Sequence, residues 1–453
     1  MLKSCLIALP IALLGCGEVK YSDPVSPDAA STPAPAVDAA PGACSETPLV
    51  DQATSACGFS DGSFDGTLRS ESGAVRLATD SASGSFVSRV FDSGDDDAVW
   101  SSLLWETVAP HQKPLPDDGA REAGYARDNI DMADNVLLLH FDEREVSPGM
   151  RFSDSSGRGN DAIVASTAAT ALEDVAGRFR RAIHDTLDSH FYINIDPEQG
   201  SDLDFGEGDF TWALWVQTTQ DCTGNKVYMG FEAPGADGLI HLWLGCASGS
   251  EGECEAGSPE GRAGGTFSSA KGNGAPSQMC GLRQINDGKW HHLALVKSGH
   301  LDATLSLYVD GELEDTLTTT FDQPLVFTQY TQFTIGAFPV FLDKYQADAM
   351  LDEMAIWRRG LSADEVLSLY RRGALRLGLQ VRACADKGCE GAGPFVGPGG
   401  DETRRFQASG DALTPATSVT LEGQRGRYLQ YRAVLESDIE SETPVLRQVE
   451  VRP

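Results

Sequence analysis

The sequence predicts an all-β protein with one short helix, and three observations carry that prediction. Residues 426–437 (GRYLQYRAVLES) alternate with period two: Leu429, Tyr431, Ala433 and Leu435 share one face, Gln430 and Arg432 the other. Runs rich in aromatic and branched residues recur at 210–216 (FTWALWV), 288–296 (GKWHHLALV) and 305–309 (LSLYV), and the last ends in Asp310-Gly311, a strong hairpin signal. The helical pattern is confined to 363–372. There Ser362-Ala363-Asp364-Glu365 forms a capping box, Val366, Leu369 and Tyr370 form one apolar stripe, and Gly373 suits a C-terminal stop.

Strands also cluster at both ends of the chain: 85–94 (SFVSRVFDSG) and 100–107 (WSSLLWET) early, 377–384 (LGLQVRAC), 426–437 and 443–452 (TPVLRQVEVR) late. Neither end has enough strands for a stable sheet; together they have. Val90-Phe91-Asp92-Ser93-Gly94 with Trp100, Leu103 and Trp105, and later Val381-Arg382 with Gly426-Arg427-Tyr428-Leu429-Gln430-Tyr431-Arg432, resemble the two halves of a β-sandwich of bacterial surface proteins. In that resemblance the halves are contiguous. Here they are far apart, so the expectation is one discontinuous sandwich (61–120 with 374–453) interrupted by a second domain over 134–373. Separate domains in series are the alternative. Insertion at an exposed loop is physically ordinary, because domain termini lie close together.

The inserted stretch has its own resemblance. Asp154-Ser155-Ser156-Gly157-Arg158-Gly159-Asn160 comes first, then 210–216, then Trp290-His291-His292-Leu293-Ala294 and Tyr308-Val309-Asp310-Gly311. Leu351-Asp352-Glu353-Met354-Ala355-Ile356-Trp357 and Leu361-Ser362-Ala363-Asp364-Glu365 complete the series. In this order the segments resemble a laminin G-like, concanavalin A-like jelly roll. The Gly- and Cys-rich stretch 246–281 departs from that pattern and reads as an elaborated loop.

The N-terminus reads as an export signal. Lys3 precedes a short apolar run that ends in Leu13-Leu14-Gly15-Cys16. That ending resembles a lipobox, which implies cleavage before Cys16 and a lipid on its sulfur; an ordinary signal peptide with an incidental cysteine is the alternative. Residues 16–60, rich in Pro, Ala and Asp, read as a disordered tether, and about 40 residues of flexible coil reach roughly 35 Å. Gly17 is not the aspartate that retains lipoproteins at an inner membrane, so the expected place is the outer membrane or cell surface. The membrane is expected as a partner only through the lipid.

Eight of the ten cysteines lie beyond Cys16. An even number in an exported chain implies disulfides, with Cys44–Cys57 and Cys384–Cys389 as local pairs. Cys222, Cys246, Cys254 and Cys280 allow three connectivities. With 67 acidic against 35 basic residues, the net charge of −32 excludes nucleic acid as a partner.

Calcium is the one cofactor the sequence suggests. Asp154 and Asn160 bracket a glycine-containing turn, and the laminin G-like resemblance implies that Asp352, with Asp142, completes an oxygen shell. A plain Asx turn is the competing reading. No catalytic residue is expected. Asp352 and Glu353 are adjacent in a strand and should face opposite ways, whereas a glycosidase needs two carboxylates roughly 5 Å or more apart in one cleft. His291 and His292 read as buried histidines. Trp243, Phe321, Phe327, Tyr330, Phe338, Phe341 and Tyr345 are candidates for stacking on sugar rings. The sequence thus predicts a surface-anchored binding or adhesion protein that recognises carbohydrate or a surface protein, without catalysis. A structural component of the envelope is the alternative, and a glycoside hydrolase a lesser one.

Overall fold

The computed structural model describes residues 49–53, 58–144, 146–164, 175–185, 193–195, 200–222, 224–235, 238–247, 261–268, 277–300, 302–320, 332–337 and 345–453. Cys16, the signal, most of the tether, Cys44, Cys57 and Cys254 lie outside them. The fold is all-β: a concanavalin A-like jelly roll stands within a second, discontinuous β-sandwich. No helix among the described residues is long and apolar enough to cross a membrane.

The first jelly-roll sheet runs Val175–Ala176, Arg181–Asp185, Ala349–Trp357, Phe210–Gln217, Trp290–Ser298, Asp302–Val309, Glu312–Thr320, with Asn135–Leu139 also paired to Ala349–Trp357. The second runs Ser277–Gln284, Arg262–Ser268, Gly238–Ala247, Lys226–Gly235, Gln332–Ile335, Ile193–Ile195, Ala162–Val164, Arg151–Phe152. Their facing sides make one core, in which Trp212, Leu214, Leu293 and Leu295 meet Met229, Phe231, Leu242 and Ile335. Trp212 packs edge-on against Phe333, with centroids 5.0 Å apart. Asp310 and Gly311 both have positive φ, 52° and 77°, as the tight hairpin turn requires.

The strand Phe210–Gln217 is apolar on both faces because both faces are covered. Ala213, Ala294, Ala355 and Trp357, on the outer side, pack against Leu115, Ile130 and Met132 of the connecting segment. Val366 and Leu369 of helix α1 (Ala363–Ala374) complete that layer. Both halves of the capping box form at Ser362 and Glu365. The helix does not stop at Gly373; it ends at Ala374 and passes straight into the extended strand Leu375–Cys384. A Cβ on Gly373 would stand 2.3 Å from Trp215 Cζ2, so this glycine serves close helix–sheet packing rather than termination.

Two further expectations are corrected. The stretch 246–281 is not simply a loop: Arg262–Ser268 and Ser277–Gln284 extend the second sheet. The tether ends before residue 60, because Val50–Gln52 pairs with Val445–Arg452 and the buried Asp51 accepts from Tyr431 Oη at 2.8 Å.

In the discontinuous sandwich the two ends of the chain interleave. Ser102–Thr107 lies between Ala416–Thr420 and Val445–Arg452, and Tyr428–Ser437 lies between Ser83–Val87 and Leu375–Cys384. Trp100, Trp105, Phe86, Phe91 and Tyr431 fill its core. Disulfides join Cys384 to Cys389 and Cys222 to Cys246, and Cys280 is also disulfide-bonded.

Charge closes the junction between the sandwiches. Lys113 and Glu122 are fully buried at 2.5 Å, and Arg372 of α1 grips the same carboxylate at 2.7 and 3.1 Å. Lys113 also donates to Ala412 O, and Glu122 accepts from Ile130 N at 3.2 Å. At the rim, Arg371 and Arg127 both hold Glu442 at 2.6 Å.

Candidate functional site

The four residues expected to share calcium fall into two pairs. Asp154 accepts from Leu138 N, Ser156 N, Ser156 Oγ and Asn160 N at 2.7–2.9 Å. It is therefore the hub of an Asx-type turn that pins 154–160 to the strand Asn135–Leu139. Asn160 donates to Val136 O at 2.7 Å. Asp142 and Asp352 instead flank the turn 177–180: Asp142 accepts from Arg181 N at 3.2 Å, and Asp352 from Phe179 N at 3.0 Å. Among the described residues no group of three or more His, Cys, Asp or Glu side chains is placed to hold a metal ion.

Asp352 and Glu353 do not face opposite ways. A β-bulge at Glu353, whose φ is 49°, sets two residues against Leu214, so both carboxylates reach the outer face of the sheet. Both are buried there. Burial, reinforced by the charges of Glu353 and Asp142, pushes the Asp352 carboxyl well above the usual carboxylate range. Glu353 accepts from Leu115 N and meets His140 Nδ1 at 2.7 Å, which clamps the connecting segment onto the sheet. The pair is buried beneath residues 115 and 179, whose backbone N–H groups it accepts from.

Four histidines contribute to the response to pH in two opposite senses. Burial lowers His111 to about 3 and His292 to about 4. His140 and His291 are also opposed by burial, but Glu353 with Asp117, and Asp310 with Asp287, outweigh it and raise both. The first two contribute stability above the unfolded value near 6.5 that is lost as pH falls toward their folded values. The second two contribute stability below about 6.5 that is lost as pH rises through their raised values. In denaturant unfolding across pH, H140Q is expected to lose less stability than the wild type as pH rises above about 6.5 through the raised His140 value. An alkaline loss of stability identical in wild type and H140Q would contradict this assignment.

The aromatic candidates do not form an open platform among the described residues. Trp243 is buried with Val227 and Ala247, and the half-buried Tyr345 packs against them; Phe321, Phe327, Tyr330, Phe338 and Phe341 lie outside the described residues.

Among the described residues an opening lies where the jelly roll meets the second sandwich: a cleft of about 890 Å³, wide open to solvent. One wall is the turn after Val175–Ala176. Arg178 and Phe179 point inward, Arg178 over the Trp215 ring at 4.7 Å, while Arg180 and Arg181 line the cleft. The other wall is 401–406, held by Gln380 Nε2, which donates to Glu402 O and Arg404 O at 2.7 and 2.8 Å. Asp401 caps this loop by accepting from Thr403 N and Oγ1, each at 2.7 Å. Arg144, Arg404 and Arg405 complete the basic lining, against the two carboxylates Asp142 and Asp401. Partial burial and then the like charge of Arg144 lower the pKa of the Arg181 guanidinium, with Arg404 adding to the effect.

None of the five arginines was singled out from the sequence. The available signal was two doublets, Arg180-Arg181 and Arg404-Arg405, in a strongly acidic chain. Their meeting across the junction follows only from the fold.

The comparisons with known proteins bear on the jelly roll. Residues 187–367 match the laminin G-type family model described as the concanavalin A-like lectin/glucanases superfamily. That stretch holds the strands Phe210–Gln217 through Ala349–Trp357 and the start of α1. No curated protein sequence matches the chain. Among solved structures, the binding domain of Paraclostridial Mosquitocidal Protein 1 is similar at 15% identity, covering 52% of each chain, with a TM-score of 0.36. Domain 4 of the arabinanase AbnA from Geobacillus stearothermophilus, solved with arabinotriose, has 17% identity over 52% of this chain and 98% of its own, TM-score 0.36. The binding domain of botulinum neurotoxin DC, in complex with SialylT, has 11% identity over 53% and 52%, TM-score 0.36. The chain spans about half the length of the first of these.

Proposed function

We propose that the protein is a non-catalytic carbohydrate-binding protein displayed on the cell envelope through a lipid on Cys16. The observation that carries the binding reading is the cleft at the junction. Fold alone does not assign function. This opening is large enough for several sugar units, solvent-accessible, and walled by two anchored turns that present planar hydrogen-bonding groups. The buried acid pair supports the absence of catalysis, since Asp352 and Glu353 are covered and their oxygens hold Phe179 N and Leu115 N. Leu13-Leu14-Gly15-Cys16 supports the anchor.

The test is a glycan array probed with the full chain, in calcium and in EDTA, with the best-bound glycan then incubated and examined for cleavage products. Retention of a defined glycan set, equal in both media and without products, is expected. Products would show an enzyme, and loss in EDTA would support the calcium reading. A blank array would overturn carbohydrate recognition.

A further inference from the structure

The cleft is an island of positive charge on a strongly acidic molecule. The whole chain carries 35 basic and 67 acidic residues, whereas the lining of the cleft carries five arginines and two aspartates. Asp142 is engaged by Arg180 at 3.3 Å and Arg405 by Glu436 at 3.1 Å. Arg144 and Arg404 are exposed, and among the described residues neither has a carboxylate within ion-pair distance. Every cation in the lining is an arginine. A guanidinium presents a planar fork that pairs two-to-two with a carboxylate or sulfate, which an ammonium cannot do. Like-charged guanidiniums gathered in one opening repel one another, and an anionic ligand relieves that repulsion as it binds.

We infer that the junction cleft is a binding site for an acidic glycan, a chain bearing carboxylate or sulfate groups, with Arg144 and Arg404 as its charge-reading residues. The inference rests on the carbohydrate reading above and narrows it to a ligand class. A polymer fits better than a small anion, because the opening is large and open and offers several guanidiniums to repeated charges. The acid spread over the rest of the surface disfavours such a chain elsewhere, so binding is local to the cleft.

The test uses the full chain and matched probes: uronate polysaccharides beside their carboxyl-reduced forms, and sulfated polysaccharides beside their desulfated forms. Affinity is measured by calorimetry, with polyglutamate as the acidic polypeptide control. At least a tenfold preference for one charged member over its neutral partner is expected, and the carboxylate and sulfate arms say which group is read. R144A/R404A should cost at least tenfold and R144E/R404E should abolish binding, with unchanged unfolding midpoints because neither side chain is buried. Binding of neutral glycans alone overturns the inference and leaves the carbohydrate reading standing. A blank result with every glycan overturns both. Polyglutamate binding without any acidic glycan, or wild-type affinity in R144A/R404A, also overturns the inference.

Discussion

Replacing Glu122 by alanine is expected to lower the unfolding free energy by about 3–5 kcal/mol. The carboxylate is wholly buried and is shared by Lys113 and Arg372, which are buried too. Removing it strands two cations in a low-dielectric junction and leaves Ile130 N without its acceptor. Burial already lowers the Lys113 pKa against the opposing pull of Glu122. Without Glu122, Lys113 is expected to lose its proton on folding. Urea denaturation followed by tryptophan fluorescence reads the loss. The triple variant K113M/E122L/R372M should recover much of it, since apolar side chains of similar volume need no partner. A single variant within about 0.5 kcal/mol of wild type would show that the junction is not closed by charge.

W215A is expected to cost a similar amount, about 3–5 kcal/mol, and also to weaken ligand binding without touching the cleft. Trp215 is buried on the outer face of the first jelly-roll sheet. It is stacked with Tyr370 of α1 at 5.8 Å and packed edge-on against Phe179 at 6.3 Å. Arg178 lies over the same ring. These contacts hold the turn whose next residues, Arg180 and Arg181, line the cleft. Truncation removes the support of one wall, so stability and affinity should fall together, while W215F should keep most of both. The opposite change has a smaller effect: G373A presses a methyl into the Trp215 ring and should cost about 1–3 kcal/mol. An affinity unchanged in W215A would separate the turn from binding.

Strand periodicity is local, and the sequence displays it. Leu429, Tyr431, Ala433 and Leu435 all lie in the core of the second sandwich, and Ser362 with Glu365 caps the helix. What periodicity cannot show is which outer faces are covered. The strand Phe210–Gln217 announces two buried faces, yet nothing in 108–132 announces that this segment covers one of them. The bulge at Glu353 defeats alternation outright, since one extra residue returns a side chain to the face it should have left. Gly373 has the signature of a stop and the function of a close contact. The cleft was the least legible feature, because Arg180 and Arg404 are joined by topology alone. The Asp154 turn shows a further limit: its oxygens suit calcium and also accept from the backbone N–H groups of Leu138, Ser156 and Asn160, two arrangements that the sequence does not tell apart.

The most direct test of the central claim is amide hydrogen exchange of the full chain with and without the glycan best retained on the array. Binding at the junction predicts slowed exchange in 177–181 and 401–406, on both walls at once, with the strands Gly238–Ala247 and Arg262–Ser268 unchanged. Protection confined to those strands, with both walls unaffected, would place the ligand on the second jelly-roll sheet and contradict the account.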